Sequence, residues 1–151
     1  MLQNQPAHMI IFLSLVAATP GHSADRQIDG PVTAHLVKVV DGDTLLVEAM
    51  PWPDHRVSTY VRLRGVDAAE LKSKCPTFRK AALRAKEELT DLMDGQDMVS
   101  LTAISGDKYF GRVVADLTLR GGISPAQHLL EAGLVEPYQG RSKSKRPCPD
   151  D

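Results

Sequence analysis

The chain predicts an α+β, mainly β fold: a small five-stranded barrel with two or three flanking helices. Two segments of strict alternation and one firm amphipathic helix carry that prediction. From Val57 to Leu63 the residues Val57, Thr59, Val61 and Leu63 alternate with Ser58, Tyr60 and Arg62, the period of two that marks a half-buried strand. Between Arg112 and Leu119, Val113, Ala115, Leu117 and Leu119 point one way while Arg112, Val114, Asp116 and Thr118 point the other. After Pro76, the residues Phe78, Ala81, Ala82, Ala85, Leu89, Leu92 and Met93 recur at helical spacing, and Gly95 supplies the stop.

The remaining elements follow in order. Thr33–Val40, Thr44–Ala49 and Met98–Ile104 are further strand segments, with Asp41-Gly42 as the hairpin turn between the first two. Trp52, between Pro51 and Pro53, falls in the loop joining the second and third strands, where packing within the loop is the expected role and stacking on a base the alternative. Ser124-Pro125-Ala126-Gln127 reads as an N-cap, a first-turn proline and a glutamine completing a capping box, opening a short helix that stops near Gly133.

The 151 residues suit one domain. Residues 1–24 lack Asp, Glu, Lys and Arg, and their apolar stretch Met9–Ala18 has the length of a signal-peptide core, too short to span a bilayer. Cleavage is expected after Ser23 or Ala24, leaving a domain at 25–138, a basic tail at 139–151, and an exported protein, periplasmic or secreted, with no membrane segment. Cys75 and Cys148 allow one pairing, which would tie the tail back to the first helix; two free thiols are the alternative. With 18 Lys+Arg against 19 Asp+Glu, the net charge excludes neither nucleic acid nor a smaller polyanion as partner.

Chemistry concentrates in a few residues. Asp41-Gly42-Asp43-Thr44 by itself is first a turn, but Asp67 and Glu70 follow directly from the strand that carries Arg62, so carboxylates and a cation leave one sheet end together. Two aspartates, Asp43 and Asp67, with a backbone carbonyl and waters suit a hard cation such as Ca2+. Arg62 and Arg112 suit the charge that builds on a phosphodiester under attack, since each guanidinium can hold two oxygens. Glu70 is in reach to orient or deprotonate the attacking water. His35, His55 and His128 lack metal-ligand spacing, no Ser-His-Asp or Cys-His set stands out, and Gly121-Gly122 lacks the lysine of a phosphate-binding loop. The tail cations Arg141, Lys143, Lys145 and Arg146 read as a solvated face, with phosphate binding as the alternative.

Asp41-Gly42-Asp43-Thr44, Val61-Arg62-Leu63, Val66-Asp67 to Glu70, Asp107-Lys108-Tyr109-Phe110-Gly111-Arg112, Gly133-Leu134-Val135 and Tyr138 resemble, in this order and spacing, the staphylococcal nuclease or thermonuclease family. The resemblance spans roughly Thr33 to Tyr138. It implies an OB-fold barrel, Ca2+ held by Asp43, Asp67 and the Ala68 carbonyl, catalysis by Arg62, Glu70 and Arg112, and substrate contacts from Lys108, Tyr109 and Tyr138. It further implies a monomer that cleaves DNA and RNA, single-stranded or locally opened, to 3'-phosphate ends. A catalytically inactive barrel that binds nucleic acid or protein is the alternative. Two departures stand out: Ala68-Ala69 where the family often has Thr-Pro, and the additional Phe110, which bears on the position of Arg112 and on which ring faces substrate.

Overall fold

The computed structural model describes residues 27–140 and 147–149. Its strands are β1 (Gln27–Ile28), β2 (Val32–Asp41), β3 (Thr44–Trp52), β4 (His55–Leu63), β5 (Val66–Asp67), β6 (Met98–Gly106), β7 (Arg112–Thr118) and β8 (Glu136–Pro137). Two helices, α1 (Pro76–Met93) and α2 (Pro125–Glu131), complete the described residues. The expected segment 1–24 and the tail cations at 141, 143, 145 and 146 lie outside them.

Alternating side chains dictate a sheet with one buried face, and the sheet hides that face by closing on itself. The order β6-β2-β3-β4-β7 returns to β6 through a β6–β7 pairing, giving a five-stranded OB-fold-like barrel with β1 added at the edge of β6. All pairings in it are antiparallel except β4 with β7, where Tyr60 opposes Arg112 and Arg62 opposes Val114. Leu45, Val47, Val61, Leu63, Leu101 and Ala115 fill the interior. The alternation in β4 and β7 locates the core as expected at Val61, Leu63, Ala115 and Leu117, but not at Val57, which is exposed because β4 before Tyr60 pairs only with β3 and lies outside the closed barrel.

Helix α1 closes the barrel with the face predicted from its spacing: Ala82, Ala85, Leu89 and Met93 are buried. Pro76 occupies its first turn and Gly95 follows it at φ 69°. Small residues allow a close approach between this helix and the β2–β3 turn. A Cβ placed on Gly42 would lie 2.6 Å from Ala85 Cβ and 2.9 Å from Ala68 Cβ, so only glycine fits there. The turn that bears Asp43 is thus pressed between α1 and the segment after β5.

Two local expectations need correcting. Trp52 is the last residue of β3, paired with His55 across the tight Pro53-Asp54 turn, and its residue is exposed, with an edge contact to the His55 ring. The hairpin simply continues past the two prolines. In α2, Ser124 Oγ accepts from Gln127 N as a cap should, but the Gln127 amide reaches forward to Glu131, so half of the capping box forms. The disulfide expectation holds: Cys75, immediately before α1, is bonded to Cys148.

Candidate active site

Asp43 owes its position to a turn that leaves it little choice. Its N–H donates to Asp41 Oδ1 at 3.1 Å, and its carbonyl accepts from Leu63 N at 2.8 Å, pinning the turn to the end of β4. The carboxylate points inward and is only 3% exposed. Thr44 Oγ1 donates to one oxygen at 2.8 Å; Ala68 N and Arg62 Nη1 donate to the other at 2.9 and 2.8 Å.

Arg62 spans two carboxylates. While Nη1 holds Asp43, Nη2 donates to Asp67 Oδ1 at 2.6 Å and to the Val66 carbonyl at 3.1 Å. A planar guanidinium can do this and an ammonium cannot. Asp67 is brought to it by the turn through Gly65, at φ 79°, and by the small β5–β8 sheet, where Asp67 opposes Glu136. The same sheet carries Tyr138 to the site: its N–H donates to the Gly65 carbonyl at 2.8 Å and its ring lies 5.4 Å from the Arg62 guanidinium carbon.

Burial pushes the Asp43 carboxyl above its ordinary range; Arg62 and the Ala68 N–H lower it only in part, nearby Asp41 raises it further, and the Thr44 hydroxyl adds a small lowering. Burial also works against the charge on Arg62, yet Asp43 and Asp67 outweigh it and raise its pKa. Asp43 is therefore a buried carboxylate with less compensating positive charge than its burial calls for. Such a group has residual affinity for a cation.

Arg112 enters from the neighbouring strand. Its Nε donates to Asp107 Oδ2 at 2.5 Å, and its guanidinium lies 4.7 Å from the centre of the Tyr109 ring, which Lys108 Nζ approaches at 5.0 Å. The extra residue of this loop is absorbed outward: Gly111 takes φ 81°, and Phe110 is fully exposed. Register with β4 is kept, so Tyr109 rather than Phe110 lines the cleft.

That cleft, about 630 Å3, brings together Asp43, Arg62, Ala68, Glu70, Lys108, Tyr109, Arg112 and Tyr138, all expected from sequence; Asp67 meets it through Arg62. Glu70 lies in the turn after β5, its carbonyl accepting from Ser73 N at 3.0 Å. Among the described residues no three Asp, Glu, His or Cys side chains form a group arranged to hold a metal. The available donors, the Asp43 and Asp67 carboxylates joined through Arg62 and neighbouring carbonyls, are all oxygen. They fit a hard cation whose remaining positions are filled by water.

Sequence reasoning missed two participants. Asp107, quoted within a motif but given no role, restrains Arg112. Arg64 also lines the cleft, its Nη2 donating to the Ala103 and Val114 carbonyls and to Ser105 Oγ. Alternation places Arg64 on the outer face of its strand; the β-bulge between Thr102 and Ser105 supplies its partners, and no sequence signal marks that bulge.

No curated protein matches this chain significantly. A family model described as staphylococcal nuclease homologue matches residues 60–148, more than half of the chain. The match includes Arg62, Asp67, Glu70 and Arg112, while Asp43 precedes it and is joined to the rest by the contacts above. The chain belongs to the staphylococcal nuclease homologue family.

Proposed function

We propose that this protein is a Ca2+-dependent nuclease that hydrolyses phosphodiester bonds of DNA and RNA and leaves 3'-phosphate ends. The observation that carries the reading is the convergence on one cleft of two guanidiniums, Arg62 and Arg112, with Glu70 and the buried Asp43. When bound by Asp43, Asp67 and the Ala68 carbonyl, Ca2+ supplies positive charge beside the phosphoryl oxygens.

This chain's own groups account for the rest. Arg112 is held by Asp107 and the Tyr109 ring with its terminal nitrogens available to phosphoryl oxygens, and it stabilises charge as that charge grows on phosphorus. Arg62 fixes the two carboxylates and adds its own charge to the same cleft. Glu70 orients the attacking water and takes its proton. A new bond forms between the water oxygen and phosphorus, the bond from phosphorus to the 5' oxygen breaks, that oxygen leaves as a 5'-hydroxyl with a proton from solvent, and the phosphate stays on the 3' side. Lys108, Tyr109 and Tyr138 grip the flanking strand.

We extend the proposal to an exported monomer, periplasmic or secreted. The Cys75–Cys148 disulfide supports that location, because such bonds persist in oxidising compartments. Among the described residues no helix is long and apolar enough to cross a membrane.

The test is strand length. Protein incubated with single-stranded DNA or RNA should shorten it with Ca2+ and leave it intact with a chelator. Binding without Ca2+-dependent shortening would refute the proposal and leave an OB-fold binding module.

A further inference from the structure

The loop that holds Arg112 carries two aromatic rings with opposite fates. Tyr109 is engaged, with cations at 4.7 and 5.0 Å from its ring centre. Phe110 has no polar handle and is fully exposed, although burying such a ring would stabilise the protein. Beside it on β4, Tyr60 is 42% exposed. Their neighbourhood is fixed by the backbone: Tyr60 N donates to the Gly111 carbonyl at 3.3 Å, Thr59 Oγ1 donates to the same carbonyl at 3.2 Å, and Tyr60 opposes Arg112 in the parallel ladder. Tyr60 also precedes Arg62 by two residues on the same strand face, a separation of about 6.6 Å.

We propose that Phe110 and Tyr60 form a base-stacking platform at the rim of the cleft, which takes the nucleobase of a nucleotide flanking the scissile phosphate. This rests on the nuclease reading and deepens it by naming a subsite for the base. Arg62, Arg112 and Lys108 draw a phosphate chain to the cleft, and each ring stands two residues along the chain from one of those guanidiniums, Tyr60 from Arg62 and Phe110 from Arg112. Any base can use them, because every base has a stacking face. A base already stacked in a duplex must first be freed, so the platform favours single strands. Charge beside the rings argues for a nucleic acid as occupant rather than an apolar surface.

The experiment compares Phe110→Ala, Phe110→Leu and Phe110→Trp on a single-stranded oligonucleotide and on its counterpart with abasic sugars flanking one cleavable linkage. Removing a stacking ring is expected to lower kcat/KM on the normal strand about 5-fold or more, chiefly through KM. Phe110→Leu should lose as much, Phe110→Trp should retain activity, and on the abasic strand all four proteins should agree. A Phe110→Ala enzyme equal to wild type on the normal strand overturns the platform. So does an equal loss on both strands, which would trace to a displaced Arg112, and so does recovery by Phe110→Leu, which would indicate a generic apolar contact. If wild type cleaves neither strand, the nuclease reading has failed, and fluorescence anisotropy decides the platform separately. Weaker binding of Phe110→Ala to the normal strand alone then supports it, and unchanged binding overturns it.

Discussion

Cutting the Cys75–Cys148 bond should cost this domain a large share of its stability without altering the cleft. The two cysteines are 73 residues apart, so the bond forbids the unfolded chain most of its freedom across the whole span from α1 through β7 to the tail. The chain-entropy relation gives about 15 cal/mol/K for a loop of that size, or about 4.4 kcal/mol at 25 °C. Domains of this kind have about 5–15 kcal/mol in total, so roughly a third or more would vanish. The variant for the measurement is Cys75→Ser with Cys148→Ser, which leaves no thiol to rearrange. Urea unfolding should show a lower midpoint and a steeper slope, because the unlinked chain exposes more surface. Turnover at 25 °C should match wild type, since the loss arises in the unfolded state. A stability change under about 1 kcal/mol would refute the loop-entropy argument, and a parallel fall in turnover would show that the bond shapes the folded site.

Asp43→Asn should abolish Ca2+-dependent cleavage yet leave stability in chelator within about 1 kcal/mol of wild type or above it, because the buried carboxylate costs more in burial than its partners return. Its folded pKa lies above the unfolded one, so wild type is at no disadvantage below the unfolded value and loses stability relative to the variant as pH rises through the folded value; paired thermal melts across that range check the sign. Asp107→Asn should lower kcat/KM by roughly 10-fold or more, and in an Arg112→Ala background it should add almost nothing, which a double-mutant cycle reads directly. Arg112→Ala and Glu70→Gln should each reduce turnover by about 10² or more with circular dichroism and melting unchanged; a Glu70→Gln enzyme at the wild-type rate would refute its role as base. Gly42→Ala should cost about 1–3 kcal/mol in urea unfolding, because the added methyl meets Ala85 and Ala68.

What the sequence made legible is what local patterning encodes. Strand alternation located the core at Val61–Leu63 and Arg112–Leu119, though not at Val57, and the spacing from Pro76 to Gly95 gave α1 its observed bounds. Asp43, Asp67, Glu70, Arg62 and Arg112 were legible from charge placed near the ends of those elements, whereas Lys108, Tyr109, Tyr138 and the Ala68 carbonyl came from the resemblance in motif order alone. The two-residue strands β5 and β8 were not: they are too short for any period, and Val66 meets Pro137 across the whole length of the domain. Arg64 escaped for a related reason, since its acceptors arise from a slip in pairing between β6 and β7 rather than from a residue pattern. Trp52 was misplaced because flanking prolines usually end a strand, whereas an exposed hairpin tip tolerates them.

The parallel pairing of β4 with β7 has a consequence for how this fold can diversify. Arg112 is anchored by ladder bonds on one side, and the Gly111 carbonyl is already bonded to Tyr60 and Thr59. An added residue upstream cannot slide the arginine along its strand; it is expelled into solvent, as Phe110 is. Register and loop length are thereby uncoupled: the exposed tip at Phe110 can change while the strand position from which Arg112 projects stays paired to Tyr60.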